Sequence, residues 1–282
     1  MTKILANDGI SQAGIDALTE KGFEVITEKV AQEDLINIIN TENYEVLLVR
    51  SATTVRKDLI DACPHLKVVG RGGVGMDNID VDYARKKGIN VINTPAASSA
   101  SVAELVFAHL FGMVRFLFDS NRQMPMTGDA DFKSLKKSYA NGRELAGKTL
   151  GIIGFGRIGQ EVAKRAIGLG MKVIAHDKFI EEVNITLDFF NGDKKSFTIE
   201  TESLKEVLSN SDFVTLHIPK IGDKAVIGAE EIGMMKTGAG IVNAARGGVI
   251  DETALMFALD KEKLAYAGLD VFENEPTTSI HI

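Results

Sequence analysis

Gly154-Phe155-Gly156-Arg157-Ile158-Gly159 lies between an apolar run, Thr149 to Ile153, and a helical pattern, and no other segment limits the fold as tightly. Each glycine in such a segment has its own task. Gly154 permits a tight turn after a strand, Gly156 lets backbone approach a pyrophosphate, and Gly159 lets helix and strand pack closely. A helix opening at this point directs free N–H groups and the positive end of its dipole at phosphates. The next apolar run, Lys172 to Ala175, leads into Asp177, about 20 positions on, where an acid can bond the adenosine ribose hydroxyls. Its charge opposes a 2′-phosphate. The combined pattern predicts a bound dinucleotide, NAD rather than NADP.

The rest of the chain supports a fold built around such a loop. Short apolar runs at Lys3–Ala6, Phe23–Ile26, Tyr44–Val49, Leu66–Val69 and Asn90–Ile92 alternate with amphipathic stretches at 11–21, 32–40, 58–62 and 81–87. A second series begins at Lys148, with strands expected at 149–153, 172–175, 213–216, 241–243 and 265–269. Strands alternating with helices mean βαβ units and parallel sheets covered on both faces. Thr94-Pro95 interrupts the first series. A long apolar helix is expected from about Val102 to Phe118, with Ser101 and Glu104 as a capping box, crossing between domains. Two doubly wound α/β domains follow, residues 1–95 and 96–282. Between 183 and 199, two alternating runs flank Asn191-Gly192 and predict a β-hairpin insert.

Length and composition agree. A chain of 282 residues suits two domains. A net charge of −7 argues against general attraction to nucleic acid or an anionic membrane. The single cysteine, Cys63, rules out an internal disulfide and suits a reducing, cytoplasmic setting, where it reads as a small packed residue. The first residues read as a strand, not a signal peptide. No metal is called for.

Ligands of an open parallel sheet bind beyond the carboxyl ends of its strands. Arg50-Ser51, Arg71, His217, Arg246 and Asp270 fall at such ends. Gly70-Arg71-Gly72-Gly73-Val74-Gly75 repeats the glycine spacing, but the strand after it ends at Asn93-Thr94-Pro95 without an acid for a ribose. Two readings of this loop stand: a site for a small anion such as a carboxylate, or a glycine-rich connection that holds nothing. Arg246, ahead of Gly247-Gly248, reads either as a guanidinium that grips a carboxylate and polarises the adjacent carbonyl or as a surface ion-pair partner. Oxidation of a hydroxy acid also needs a base for the hydroxyl proton, most often histidine. His65 reads as surface, His109 as core or interface, and His176 as turned from the cofactor. His217 divides evenly between a role near the cofactor and none. None of the five histidines, His281 included, is marked as the base.

Gly154 to Gly159, then His217-Ile218-Pro219, Asn243-Ala244-Ala245-Arg246-Gly247-Gly248 and Asp270-Val271-Phe272-Glu273-Asn274-Glu275-Pro276 resemble, in order and spacing, the D-2-hydroxyacid dehydrogenases. Arg50-Ser51-Ala52-Thr53, Gly70 to Asp80, Asn93-Thr94-Pro95 and Ser101 to Leu105 are most similar to the D-3-phosphoglycerate dehydrogenases within that family. The resemblance implies a flavodoxin-like substrate domain followed by a Rossmann NAD-binding domain, dimeric through the latter. It implies NAD-dependent oxidation of 3-phosphoglycerate to 3-phosphooxypyruvate, the entry to serine biosynthesis. Arg246 matches the catalytic arginine and Glu275 the glutamate that pairs with the catalytic histidine. Asp270 matches the residue that holds the nicotinamide carboxamide. Arg157, Ile158, His217, Ile218, Ala244, Ala245 and Val74 match cofactor-lining positions, with Asp177 on the ribose. Gly73-Val74-Gly75 looks like the loop receiving the substrate carboxylate, beside Ser51, and Arg50 and Arg71 look like the groups that meet a phosphate.

Two departures qualify the resemblance, the absence from these residues of the family's Pro-His and of its final helix. The family's histidine follows a proline roughly 20 residues beyond the glutamate, whereas only seven residues follow Glu275, so the role does not pass to His281. The expectation is a histidine beyond Ile282, with the family's final helix, and no C-terminal regulatory domain within these residues. The alternatives are another D-2-hydroxyacid dehydrogenase, acting on glyoxylate, hydroxypyruvate or D-lactate, and a non-catalytic NAD sensor resembling the corepressors of this fold.

Overall fold

In the computed structural model, which describes residues 1–220 and 222–275, the chain divides into two compact units, the first Met1–Ser98 and the second beginning at Ser99. The first is a regular alternation: β1 (Lys3–Ala6), α1 (Gln12–Glu20), β2 (Glu24–Ile26), α2 (Leu35–Thr41), β3 (Val46–Val49), α3 (Lys57–Ala62), β4 (Val68–Arg71), α4 (Val81–Lys86) and β5 (Asn90–Asn93). Helical crossovers between successive strands force parallel pairing. The sheet runs β2-β1-β3-β4-β5, the flavodoxin-like order. Leu5, Leu47 and Val69 on the strands and Leu35, Ile39 and Leu59 on the helices are buried in one core. Each such side chain contributes about 1.5–3 kcal/mol of burial.

The second unit opens with two helices, α5 (Ser99–Val114) and α6 (Leu117–Tyr139). It continues through β6 (Thr149–Ile153), α7 (Arg157–Gly168), β7 (Lys172–His176), β8 (Glu182–Asp188), β9 (Lys194–Glu200), α8 (Leu204–Asn210), β10 (Phe213–Leu216), α9 (Ala229–Met234), β11 (Ala239–Asn243), α10 (Glu252–Asp260) and β12 (Leu264–Leu269). Its parallel sheet runs β12-β11-β10-β6-β7. Consecutive residues of a strand face opposite ways. Ile152 therefore enters the core under α5 and α7, and Ile153 the core under α8, α9 and α10. The doubly wound expectation holds for both units. In each, strand order reverses at one place, between β1 and β3 and between β6 and β10, which is where such sheets open a crevice for ligands.

One local expectation needs amendment. The crossover helix starts at Ser99, so Ser101 and Glu104 lie within it, and it stops at Val114 instead of Phe118. Its end is set by the returning chain, whose Arg143 N–H donates to the Val114 carbonyl at 2.9 Å. Phe116 then takes a left-handed φ of 55°, breaking the apolar run before α6 begins. The pattern did not mark α6 because Pro125 and Gly128 sit inside it. The hairpin is present as antiparallel β8 and β9 with Ile185 opposite Phe197. Its connection spans Phe189 to Asp193, closed by Phe189 N–H on the Asp193 carbonyl at 2.9 Å, with Gly192 at φ 90°. Ile185 and Ile199 anchor it in the core, and Thr201 bridges in parallel to Ala175 on β7. Among the described residues, no single helix is long and apolar enough to cross a membrane.

Candidate active site and cofactor site

β6 delivers its chain directly into the glycine loop at the reversal between β6 and β10. Gly154 has φ +94°, and a Cβ there would lie 2.6 Å from the His217 carbonyl oxygen, so only glycine fits between the two strand ends. Gly159 lies in the first turn of α7, where a Cβ would come within 2.3 Å of the Gly154 carbonyl. Gly156, the N-cap of α7, has nothing within 4 Å of where its Cβ would stand. Two crowded glycines therefore hold strand and helix together, and the open one leaves the backbone accessible at the helix N-terminus. This is the shape a pyrophosphate requires, and the residues fit a dinucleotide.

Asp177 follows β7 and closes the loop. Its Oδ2 accepts the Phe155 N–H at 2.7 Å, and Oδ1 accepts those of Phe179 at 2.9 Å and Ile180 at 3.3 Å. A carboxylate has about four acceptor positions, so capacity is left for a ribose hydroxyl. Arg157 and Ile158 begin α7, and Ile158 packs into the core beneath the loop. Ile218, just past β10, lies against Gly154.

Across the sheet, Asn243 organises the ends of β11 and β12. Its side chain accepts the Ala245 N–H at 3.1 Å and donates to the Arg246 carbonyl at 2.9 Å. Its own carbonyl accepts the Asp270 N–H at 3.0 Å. Ala244 packs against the core and Ala245 is half-buried. The half-buried Arg246 donates through Nη1 to the Ala245 carbonyl at 2.7 Å. Gly247 abuts Phe272, and the Phe272 N–H donates to Glu275 Oε1 at 2.9 Å. Arg246, Asp270 and Glu275, distant in sequence, thus share adjoining loops.

The described histidines are placed otherwise. His65 is exposed. His176 Nδ1 contacts the Glu202 carbonyl at 2.8 Å. His109 lies half-buried on α5, against Gly268 of β12. His217 approaches Thr215 Oγ1 through Nε2 at 3.1 Å while its Nδ1 is buried. Burial lowers its pKa from 6.5 to about 4. It reaches the cofactor loop through its backbone, with a neutral ring turned inward and unsuited to serve as the base. His281 lies outside the described residues. Burial also raises the Cys63 thiol to about 11, leaving it inert.

In the first unit, a cleft of about 720 Å³ opens at the reversal between β1 and β3, lined among others by Asp8, Ser11, Arg50, Arg71, Gly72 and Thr94. Arg50 and Ser51 follow β3 and are exposed. Arg71 ends β4 and bonds the Gly75 carbonyl through Nη1 and the Arg50 carbonyl through Nε at 3.4 Å. Gly73 and Val74 offer their carbonyls to Thr94 N–H at 3.2 Å and Asn93 Nδ2 at 2.7 Å. Sequence reasoning missed Asp8 and Asn78 here, and Asn243 in the second unit. Asp8 had the same signal as Arg50, a polar residue just past an apolar strand.

A family model described as D-isomer specific 2-hydroxyacid dehydrogenase, NAD binding domain, matches residues 107–281. The chain belongs to this family. As a D-2-hydroxyacid dehydrogenase it is an NAD-dependent oxidoreductase, and its cofactor is NAD. It is 41% identical over 278 residues to a hydroxypyruvate reductase of Thermotoga maritima, spanning 98% of this chain and 84% of that protein. It is 43% identical over 279 residues to a D-3-phosphoglycerate dehydrogenase of Methanocaldococcus jannaschii, of which it spans only half the length. Among solved structures, D-lactate dehydrogenase from Aquifex aeolicus complexed with NAD and lactic acid superposes with a TM-score of 0.69 at 30% identity, covering 97% of this dehydrogenase and 78% of that chain.

Proposed function

We propose that this dehydrogenase oxidises the C2 hydroxyl of 3-phosphoglycerate to 3-phosphooxypyruvate, opening serine biosynthesis. The observation that carries the reading is Arg50, a guanidinium on the first-unit cleft with no hydrogen-bond or ion-pair partner among the described residues. A substrate bearing phosphate as well as carboxylate gives that cation a counterpart. Arg246 grips the carboxylate and polarises the C2 oxygen. The resemblance also gives the Gly73–Gly75 loop and Ser51 a role in binding the substrate's acid group. When bound, NAD would supply the hydride acceptor for the C2 hydrogen. The hydroxyl proton would need a general base, the role that the resemblance gives to a histidine paired with Glu275, and Asp270 would hold the nicotinamide carboxamide. Gly154 to Gly159, Asp177, Ile218, Ala244 and Ala245 hold the dinucleotide. The exposed Phe118, Met126 and Phe132 on α6 support a homodimer through the second unit, and the single buried thiol suits the cytoplasm.

The test is a substrate panel with the full-length gene product and NAD. The expected result is a kcat/KM for 3-phosphoglycerate at least about tenfold above that for D-glycerate, a difference of about 1.4 kcal/mol. Equal turnover of the two would sink the reading. Hydroxypyruvate reduction is the second reading, favoured by the likeness to the Thermotoga maritima enzyme, and a panel run in reverse with hydroxypyruvate and glyoxylate separates them. Tight NAD binding without turnover of any 2-hydroxy acid would instead mark a sensor.

A further inference from the structure

Arg50 opens a short loop, Arg50 to Thr53, and side chains that the substrate reading does not use fix that loop at both ends. Asp8, just past β1, accepts through Oδ2 the N–H groups of Arg50 at 2.6 Å and Thr53 at 3.1 Å, and through Oδ1 the Thr53 hydroxyl at 2.8 Å. Asn78, in the segment before α4, donates through Nδ2 to the carbonyls of Arg50 at 2.8 Å and Thr53 at 2.6 Å. Only the amide's NH2 end can satisfy two carbonyls, so its orientation is determined. The buried Asn7 supports the same Thr53 hydroxyl at 2.9 Å. The first and last residues of the loop are thus held at N–H and C=O alike. Loop ordering that would otherwise oppose ligand binding is already complete.

The two arginines of this cleft differ in their engagements. The Arg50 stem crosses Gly72, where a Cβ would lie 3.5 Å from Arg50 Cγ, and its head is left to the cleft. The Arg71 head bonds the Gly75 and Arg50 carbonyls and so spans the loop that follows β4.

We propose that Asp8 and Asn78 are positioning residues that aim the Arg50 guanidinium at the substrate's phosphate, and that Arg71 braces the Gly73–Gly75 loop and is not a second phosphate ligand. The proposal rests on 3-phosphoglycerate being the substrate. It assigns specificity for the phosphate to an acid and an amide that never touch it.

Steady-state kinetics of the full-length gene product test it, with 3-phosphoglycerate and D-glycerate as paired substrates. Asp8→Ala and Asn78→Ala are expected to raise KM for 3-phosphoglycerate about tenfold while kcat and the KM for D-glycerate stay within about threefold. Asp8→Asn, which keeps an acceptor for both N–H groups, recovers most of the loss. Asp8→Ala combined with Arg50→Ala is expected to be no worse than Arg50→Ala alone. Arg71→Ala raises KM for both substrates alike. Equal losses on both substrates in the Asp8 and Asn78 variants, or additive losses in the double variant, overturn the positioning role. A wild type that does not distinguish the two substrates overturns the substrate reading instead. Amide exchange at Arg50 and Thr53 then judges the clamp by itself: acceleration in Asp8→Ala supports it, and unchanged rates refute it.

Discussion

A Cβ on Gly247 would fall 1.8 Å from the carbonyl oxygen of Phe272. The loop that carries Arg246 therefore rests, backbone on backbone, against the loop that leads to Glu275. Neither can shift without the other. Gly247→Ala is expected to force them apart, lowering stability by about 1–3 kcal/mol and kcat/KM about 100-fold. NAD affinity falls less, by about threefold to tenfold, because Ala244, Ala245 and Asp270 meet the cofactor from these loops while the Gly154–Gly159 loop is left intact. Calorimetric titration with NAD beside steady-state kinetics separates the two effects.

Gly159→Ala should act on the cofactor instead. Its Cβ would meet the Gly154 carbonyl at 2.3 Å, and overpacking there pushes α7 away from the loop. NAD affinity falls at least about tenfold and stability by about 1–3 kcal/mol. An unchanged NAD dissociation constant would show that the helix can move without cost.

Arg246→Ala is expected to lower kcat/KM by about 100-fold or more, the scale on which a single stabilising donor acts. Arg246→Lys recovers only part of this, because an ammonium cannot grip a carboxylate with two parallel bonds. NAD affinity should remain near wild type in both. Equal activity of the lysine variant and wild type would remove the bidentate role.

His217 should give the protein an acid-sensitive step. Its pKa is about 4 in the fold against 6.5 when free. The unfolded chain thus takes up the proton first, so stability present above pH 6.5 is lost as pH falls towards 4. The part due to this ring is about 2 kcal/mol between pH 7 and pH 5. Denaturant titrations of wild type and His217→Gln at both pH values measure it as a difference of differences. Parallel pH dependence in the two proteins would sink the assignment.

What was legible in the sequence was legible for local reasons. Gly154, Gly156 and Gly159 announce a strand–turn–helix because each serves a neighbour within a few residues, and Asp177 follows at the end of the next strand. The α/β class and the hairpin followed likewise from period and turn residues. The break at Phe116 did not, because it depends on Arg143 returning to the Val114 carbonyl. Nor did Asp8 and Asn78 declare themselves. Their bonds to Arg50 and Thr53 cross 25 to 45 residues of chain, and an Asp-Gly after a strand reads equally well as an ordinary turn. Arg50 and Arg71 looked alike in sequence, and only the carbonyls around Arg71 set them apart.

Asp177→Ala should weaken NAD at least about tenfold without conferring use of NADP, since the substitution removes a loop contact together with the charge. Asp177→Asn, which keeps an acceptor for the Phe155 N–H, is the milder change. Dissociation constants for both dinucleotides check this, and a clean reversal of preference in Asp177→Ala would contradict it.

The bond from Phe155 to Asp177 spans the turn that a dinucleotide must enter, and both of its partners belong to the protein, so the turn is held by its own residues. Cofactor capture then resembles docking into a finished mould. Its rate should follow diffusion and electrostatic encounter, and its heat-capacity change should match the surface covered, with no added contribution from a segment folding around the ligand.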